Sequence, residues 1–508
     1  MALCTSTNKP TRWEALSITV LCLGFFLRLR QYAFNRSLWL DEASLAANVV
    51  SRSVKALLST PLEWDQGAPL GFLLFAKCAT WLVGTTDLAL RSVPLIAGLL
   101  APIVAFRLSF ISLRHPIARF CFVSLVSFAP ILVYYSSEFK QYSSDVTIAL
   151  LIVWLGSKFS QKRWRRGAVV LALVGTVGIW VSHPSIFVLA GVGSVLAVEM
   201  GAKDPRAIKA LTMAGLWWAL NLVAAYYASL RTLAHNDYLV QYWSMGYAPW
   251  PITVGRELLW YWESALGVVY LAFRQSGLVG IDSRPEWFSG LSIVLLLLTI
   301  LGMACLFMHS RRQFCFLLVT ISVAVAASAF RLYPFRSRLI LFIVPFLHLA
   351  ASSLVDWLSD RTYEAVRLLG GCVAVGLVSL AVVPSFRVAI HPHNYSDIKG
   401  ALAYVKAHRA PKDLLALDSG TRISFEFYSQ RSGLENMPVI AYPLGTTHCD
   451  RILKSLPRRK SRCRVWIVVS HRFNERHTLL GSLRRVAREM DAWEGDGAGA
   501  YLFDVWKR

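Results

Sequence analysis

Charge is scarce in this chain: 16% of its 508 residues are Asp, Glu, Lys or Arg, against 55% hydrophobic and 12% aromatic. Too few polar groups remain to clothe a soluble protein of this length. Acids are the rarer sign, 30 against 53 basic residues, for a formal net charge of +23. The nine cysteines show no paired metal spacing. Cys22, Cys78, Cys121, Cys305, Cys315 and Cys372 fall in apolar stretches and read as small apolar residues. Cys449 and Cys463 lie in the polar tail, where a disulfide is open to them if that tail is outside the cytoplasm. No small-residue cleavage site follows the first apolar stretch, which therefore reads as a retained span. A glycine-rich phosphate loop, an internal repeat and a low-complexity tract are all missing, and the first of these absences argues against nucleotide binding.

What the chain has is apolar runs of about 15 to 22 residues. A helix rises about 1.5 Å per residue, so runs near 20 cross a hydrocarbon core of roughly 30 Å. Spans are expected at 14–30, 92–113, 117–135, 145–159, 167–182, 185–200, 208–230, 287–308, 313–330, 339–358 and 365–386. The basic residues sit in short clusters between these runs, a pattern of cytoplasmic loops facing anionic lipid rather than of a nucleic-acid surface. Ala68 to Val83 is apolar but short, with Lys77 in its middle. If it does not cross, the loops holding Arg114 and Arg119, KFSQKRWRR (158–166), Lys203 to Lys209, and Arg311 with Arg312 share one cytoplasmic side; it is therefore read as interfacial or re-entrant.

On the opposite side this scheme gathers a loop 31–91, YYSSEFKQYSSD (134–145), the turn at His183, the loop 231–286 and RLYPFRSR (331–338). Loops on one end of a helical scaffold are the usual source of catalytic groups. The tail from 387 to 508 alternates helical patterns (YSDIKGALAYVKAH, DRILKSL, HTLLGSLRRVAREM) with β-like runs (DLLALD, PVIAY, RVWIVVS, AYLFDVW), which predicts a small α/β domain with a mainly parallel sheet.

Asp41 and Glu42, in SLWLDEA, form an acidic pair just beyond the first span. Carboxylates at a membrane lip are costly to desolvate and mark a functional site, although the same pair also suits the amino end of a helix over 41–58. Activated donors outside the cytoplasm are sugars carried on polyprenyl phosphate; their transfer needs a base, which Asp41 fits, and cations for the departing phosphate. Glu138, Lys140, Tyr142 and Asp145 cluster at the next exit, and Tyr134, Tyr135 and Tyr142 also suit an interfacial aromatic belt. Arg331, Arg336 and Arg338 flank Tyr333 on the side that disfavours arginine; a lipid phosphate suits them, and snorkelling to headgroups is the plainer alternative. His183, His391 and His393, near prolines, read as loop residues rather than as a metal site.

WLDEA, PLEWDQGAPLGFLLF with GTTDLALRSVPLIAGLL, VYYSSEFKQYS and YPFRSRLILFIVP together resemble the GT-C class of integral-membrane glycosyltransferases. The nearest types are protein O-mannosyltransferases, lipid A aminoarabinose transferases and bacterial lipopolysaccharide-sugar transferases. The resemblance spans roughly residues 15–360. It implies a GT-C-like helical bundle; with the eleven spans above, the expectation is a mainly α, polytopic membrane protein of about eleven transmembrane helices over 1–386, whose odd span count places a small α/β domain over 387–508 outside the cytoplasm. It further implies Asp41 as catalytic base with Glu42 beside it, Glu138, Lys140 and Tyr142 positioning donor or acceptor, and Arg336 and Arg338 near Tyr333 holding the lipid phosphate. Relatives often carry a His-Pro-Pro type sequence where this chain has Gly67, Ala68 and Pro69, and a Gln-Glu-Ala-Arg type where it has Ser137 to Lys140.

The resulting expectation is an inverting glycosyltransferase of the bacterial inner membrane with its active site on the periplasmic face. It takes a polyprenyl-phosphate sugar donor and a lipid, glycan or protein acceptor and binds no nucleic acid; no cofactor is assigned, and a divalent cation is left open. The competing class is a transporter or flippase of a lipid-linked saccharide, which tends to place charge near the midplane and to show repeated halves. A non-catalytic scaffold with a receptor-like tail is a third.

Overall fold

Every apolar run becomes a helix in the computed structural model, which describes residues 12–201, 203–274, 290–443, 446, 449–456, 462–470 and 476–506. The protein is a multi-pass helical membrane protein with a small C-terminal sheet domain. Helix α1 (Arg12–Ala33) leads into the site-bearing loop, where α2 (Leu40–Ser51), α3 (Val54–Ser59) and α4 (Leu70–Val83) lie before α5 (Asp87–Ser112). At 14 residues α4 is short for a crossing, and Lys77 donates from its middle to the Val49 and Val50 carbonyls near the end of α2.

The single span expected at 117–135 is divided into α6 (Pro116–Phe128) and α7 (Pro130–Tyr135). Pro130 has no N–H to offer the Val126 carbonyl, and the turn at Ala129 releases the next two as well. Arg28 of α1 donates to the Val126 and Ser127 carbonyls at 3.1 and 2.6 Å, and Ser385 takes the Phe128 carbonyl. The break is thus satisfied inside the bundle and turns Tyr134 and Tyr135 toward the loops.

The chain continues through α8 (Tyr142–Ser157), α9 (Trp164–Val181), α10 (Ser185–Gly201), α11 (Pro205–Ala225), the short α12 (Arg231–Ala234) and α13 (Asp237–Tyr242), and α14 (Gly255–Phe273). It then passes through α15 (Gly290–His309), α16 (Arg311–Ala329), α17 (Val344–Ser359) and α18 (Glu364–Ile390). Seven helices among the described residues are long and apolar enough to cross a membrane, and four further apolar helices are shorter. The start of the expected span 287–308 and the end of the loop 231–286 lie outside the described residues. The helix over Ser337–Ser359 is the central post, with 94% of its most apolar stretch buried, whereas α11 and α18 bury only 22% and present apolar faces outward.

Consecutive helices run back and forth between two groups of loops. At one end, Gln161 reaches the Lys203 carbonyl, Arg312 donates to the Ser157 and Phe159 carbonyls and pairs with Glu199, and Asp356 accepts from the Arg114 and His115 amides. These are the basic loops. The loops at the other end form the cavity described below.

The C-terminal domain has a five-stranded sheet in the order β2-β1-β3-β5-β4, with β1 Leu414–Asp418, β2 Val439–Tyr442, β3 Arg462–Val469, β4 Ala487–Gly495 and β5 Ala498–Trp506. β1 pairs in parallel with β2 and β3, but β5 runs antiparallel to both β3 and β4, so the sheet is mixed rather than mainly parallel. Its helices are α19 (Ile398–His408), α20 (Ser419–Ser432), α21 (Asp450–Ser455) and α22 (Arg476–Arg484). The helix expected through Met490 ends at Arg484, and the rest is strand β4. Cys449 and Cys463 are free thiols.

Candidate active site

Trp39 caps α2, with the Glu42 carboxylate accepting from the Trp39 amide at 3.4 Å, and Asp41 falls in the first turn. Successive helical residues point about 100° apart. Asp41 therefore faces a cavity while Glu42 faces the protein interior. The cavity measures about 1220 Å³ and is lined by Trp39, Leu40, Asp41 and Ser44, by 64–67 and 140–142, by His183, Ile186 and Phe187, by Ala327, 331–334, Arg338 and Leu339, by residues between Leu222 and Tyr247, and by one face of α20. All five loop segments expected on one side of the membrane meet here.

Arg338 donates to Asp41 at 2.6 Å, with the two side chains 8% and 23% exposed. Its guanidinium lies 5.5 Å from the rings of Trp39 and Trp243 and 6.0 Å from that of Tyr142, an aromatic cage that fixes a planar cation. Lys140 lines the same cavity and donates to Gln66 at 2.6 Å; burial pulls its ammonium below the ordinary lysine range. Tyr142 and Tyr333 are also in the lining, the latter donating to the Leu339 carbonyl at 2.8 Å, as is Arg331. His183 lines the cavity with Nε2 unpartnered among the described residues, and burial pushes its imidazole down to about 4. No group of three His, Cys, Asp or Glu gathers among the described residues as a metal site would require.

Three residues proposed from sequence stand elsewhere. Glu42 is fully buried and accepts from Arg36 at 2.6 Å, from Arg91 at 2.9 and 2.7 Å, and from the Phe139 amide at 2.7 Å. Burial raises its carboxyl, but Arg36 and Arg91 outweigh that and hold it at about 2. It ties the α2 start to α5 and to the 136–141 turn, a positioning rather than a chemical place. Glu138 is also fully buried and outside the cavity lining, beside Tyr134. Burial, then the charge of Glu42, push it up to about 7 against the pull of Arg36. Arg336 is not in the lining, and its Cβ packs 3.1 Å from where a side chain on Gly246 would begin.

Sequence reasoning passed over Trp39, Gln66 and Trp243 as partners of the charged pair, and all of α20. Ser419, Arg422, Ile423 and Glu426 of that helix line the cavity on one face. Its mean composition is polar, so no apolar run signals it. The pattern at i, i+3, i+4 and i+7 is its only trace.

No protein-family model matches the chain, and no curated protein sequence does. Among solved structures, it is similar to ArnT from Cupriavidus metallidurans in the apo state, with TM-score 0.52 and 13% identity over 97% of each chain. It is also similar to the same organism's ArnT bound to undecaprenyl phosphate, with TM-score 0.50 and 13% identity over 98% of each chain. The likeness extends through both the bundle and the C-terminal domain and shows the fold alone, the one these ArnT structures have.

Proposed function

We propose that the protein is an inverting glycosyltransferase that moves a sugar from a polyprenyl-phosphate donor to a lipid, glycan or protein acceptor. The observation that carries this reading is the contact between a carboxylate and a caged guanidinium inside one large cavity, Asp41 against Arg338. The acceptor hydroxyl gives its proton to Asp41 as its oxygen bonds to the anomeric carbon. The bond from that carbon to the phosphate oxygen breaks, and the polyprenyl phosphate leaves with the electron pair, its charge held by Arg338 and Lys140. A single displacement inverts the anomeric centre. A positioned base contributes about 10²- to 10⁴-fold to such a step.

Arg338 is hydrogen-bonded to Asp41. A phosphate accepts a guanidinium through two oxygens, so donor binding draws Arg338 away and frees the base for the acceptor. Leu222, Val223, Leu230, Leu233 and Leu239 give the cavity an apolar wall suited to the prenyl chain. The fold shared with a protein crystallised with undecaprenyl phosphate supports the donor class. The basic loops at the far end support a cytoplasmic placement for that end by the positive-inside rule, and a periplasmic opening for the cavity.

The test is release of polyprenyl phosphate from a synthetic polyprenyl-phosphate sugar by the purified protein in proteoliposomes. Wild type is expected to release it, and Arg338→Ala to raise the donor KM by about tenfold or more, the worth of a lost charge-assisted contact. Donor that crosses the bilayer uncleaved overturns the reading in favour of a transporter.

A further inference from the structure

The segment that delivers Asp41 to the cavity is not held by the membrane helices alone. Between α1 and α2 the backbone of 35–38 makes no regular structure, yet four of its polar groups are taken by side chains distant in sequence. Lys399 donates to the Asn35 carbonyl at 2.6 Å, and Arg91 to the Arg36 and Ser37 carbonyls at 2.6 and 3.1 Å. The Leu38 amide donates to the Tyr428 hydroxyl at 2.8 Å.

Tyr428 is in turn fixed. Its hydroxyl donates to Asp87 at 2.6 Å, and Asp87 also pairs with Lys399 at 3.2 Å and Arg431 at 3.1 Å. Leu38, Tyr428 and Asp87 are 0, 3 and 5% exposed, so no solvent replaces these bonds. On α20, Tyr428 stands half a turn away from Ser419, Arg422, Ile423 and Glu426. One face of this helix walls the cavity while the opposite face grips the chain three residues before Asp41.

We propose that Tyr428 of the C-terminal domain is a positioning residue for Asp41, so that the domain completes the active site rather than decorating it. The proposal rests on the reading of Asp41 as base given above. A reacting group displaced by about 1 Å costs up to about 10²-fold in rate without a matching loss of substrate binding. Tyr428→Phe keeps the ring in place, strands the Leu38 amide and leaves Asp87 one donor short.

The experiment pairs kinetics with hydrogen exchange on the full-length purified protein. Tyr428→Phe is expected to lower kcat by about tenfold or more, with donor KM within about twofold of wild type. Exchange of the peptide over 36–42 is expected to rise by about tenfold, with the β1, β3 and β5 peptides as protected as in wild type. Unchanged exchange at 36–42, or raised exchange with kcat intact, overturns the proposal. If the sheet peptides also lose protection, Lys399→Met decides. It removes a second hold on the same segment and is expected to lower kcat by about threefold with KM unchanged; wild-type turnover there is the contrary result. The exchange arm needs no substrate. A wild type that transfers no sugar therefore strikes the assigned reaction, while unchanged exchange strikes the positioning role.

Discussion

Asp41 and Glu42 are neighbours in sequence with opposite fates, because a helix turns successive side chains about 100° apart. The pair was legible as a site marker from its place beside a span. Asp41 was the one read as base, but the burial of Glu42 was not legible, because it depends on Arg36 and Arg91, the latter 49 residues further along the chain. Glu138 and Lys140 divide in the same way: the lysine reaches the cavity and the glutamate lies behind it among Glu42, Arg36 and Tyr134. Glu138 carries a pH signature. Its folded value, about 7, lies above its ordinary 4.5, so the folded state binds the extra proton between these limits. Its stabilising contribution is complete below 4.5 and is lost as pH rises through about 7. The thermal midpoint of wild type is expected to fall between about pH 5 and about pH 8, and that of Glu138→Gln to fall less. An equal drop in both proteins contradicts the assignment.

Helices with long apolar runs were legible because hydrophobic length is read directly from sequence, and the strands β1, β2, β3 and β5 because they are short β-rich runs between polar turns. The elements that escaped are those whose identity depends on tertiary partners. Strand β4 alternates exposed and half-buried residues and looks like the end of α22 until β5 pairs with it. Helix α20 is polar enough to pass for loop. Pro130 breaks the single span read over 117–135, and Arg28 and Ser385, from two other helices, satisfy the freed carbonyls inside the bundle. Close helix contact is a further element-scale property. A side chain on Gly302 of α15 would begin 2.0 Å from the Ala350 carbonyl oxygen of α17. Small residues at such crossings let membrane helices touch backbone to backbone. Gly302→Ala is expected to destabilise the bundle by about 1–3 kcal/mol, measured as a lowered unfolding midpoint, with donor KM unchanged. A midpoint equal to wild type contradicts this contact.

At the scale of the whole molecule, the helices carry the chain between two ends of different chemistry. One end collects the basic loops; the other collects the aromatic, acidic and arginine-bearing loops around a cavity that the C-terminal domain closes from one side. Charge bias along the sequence was enough to sort the loops into these two groups, because that bias is local. Their convergence on one cavity, and the entry of the tail into its wall, depend on helix packing and on the Asp87 cluster, which no local pattern encodes. The proposed reaction depends on Asp41 removing a proton from the acceptor in that cavity. The most direct measurement is the rate of sugar transfer from a synthetic polyprenyl-phosphate donor by wild type and by Asp41→Asn, at saturating donor. Asp41→Asn is expected to lower kcat by about 10²- to 10⁴-fold with donor binding retained; transfer by Asp41→Asn at the wild-type rate contradicts the role of Asp41 as base.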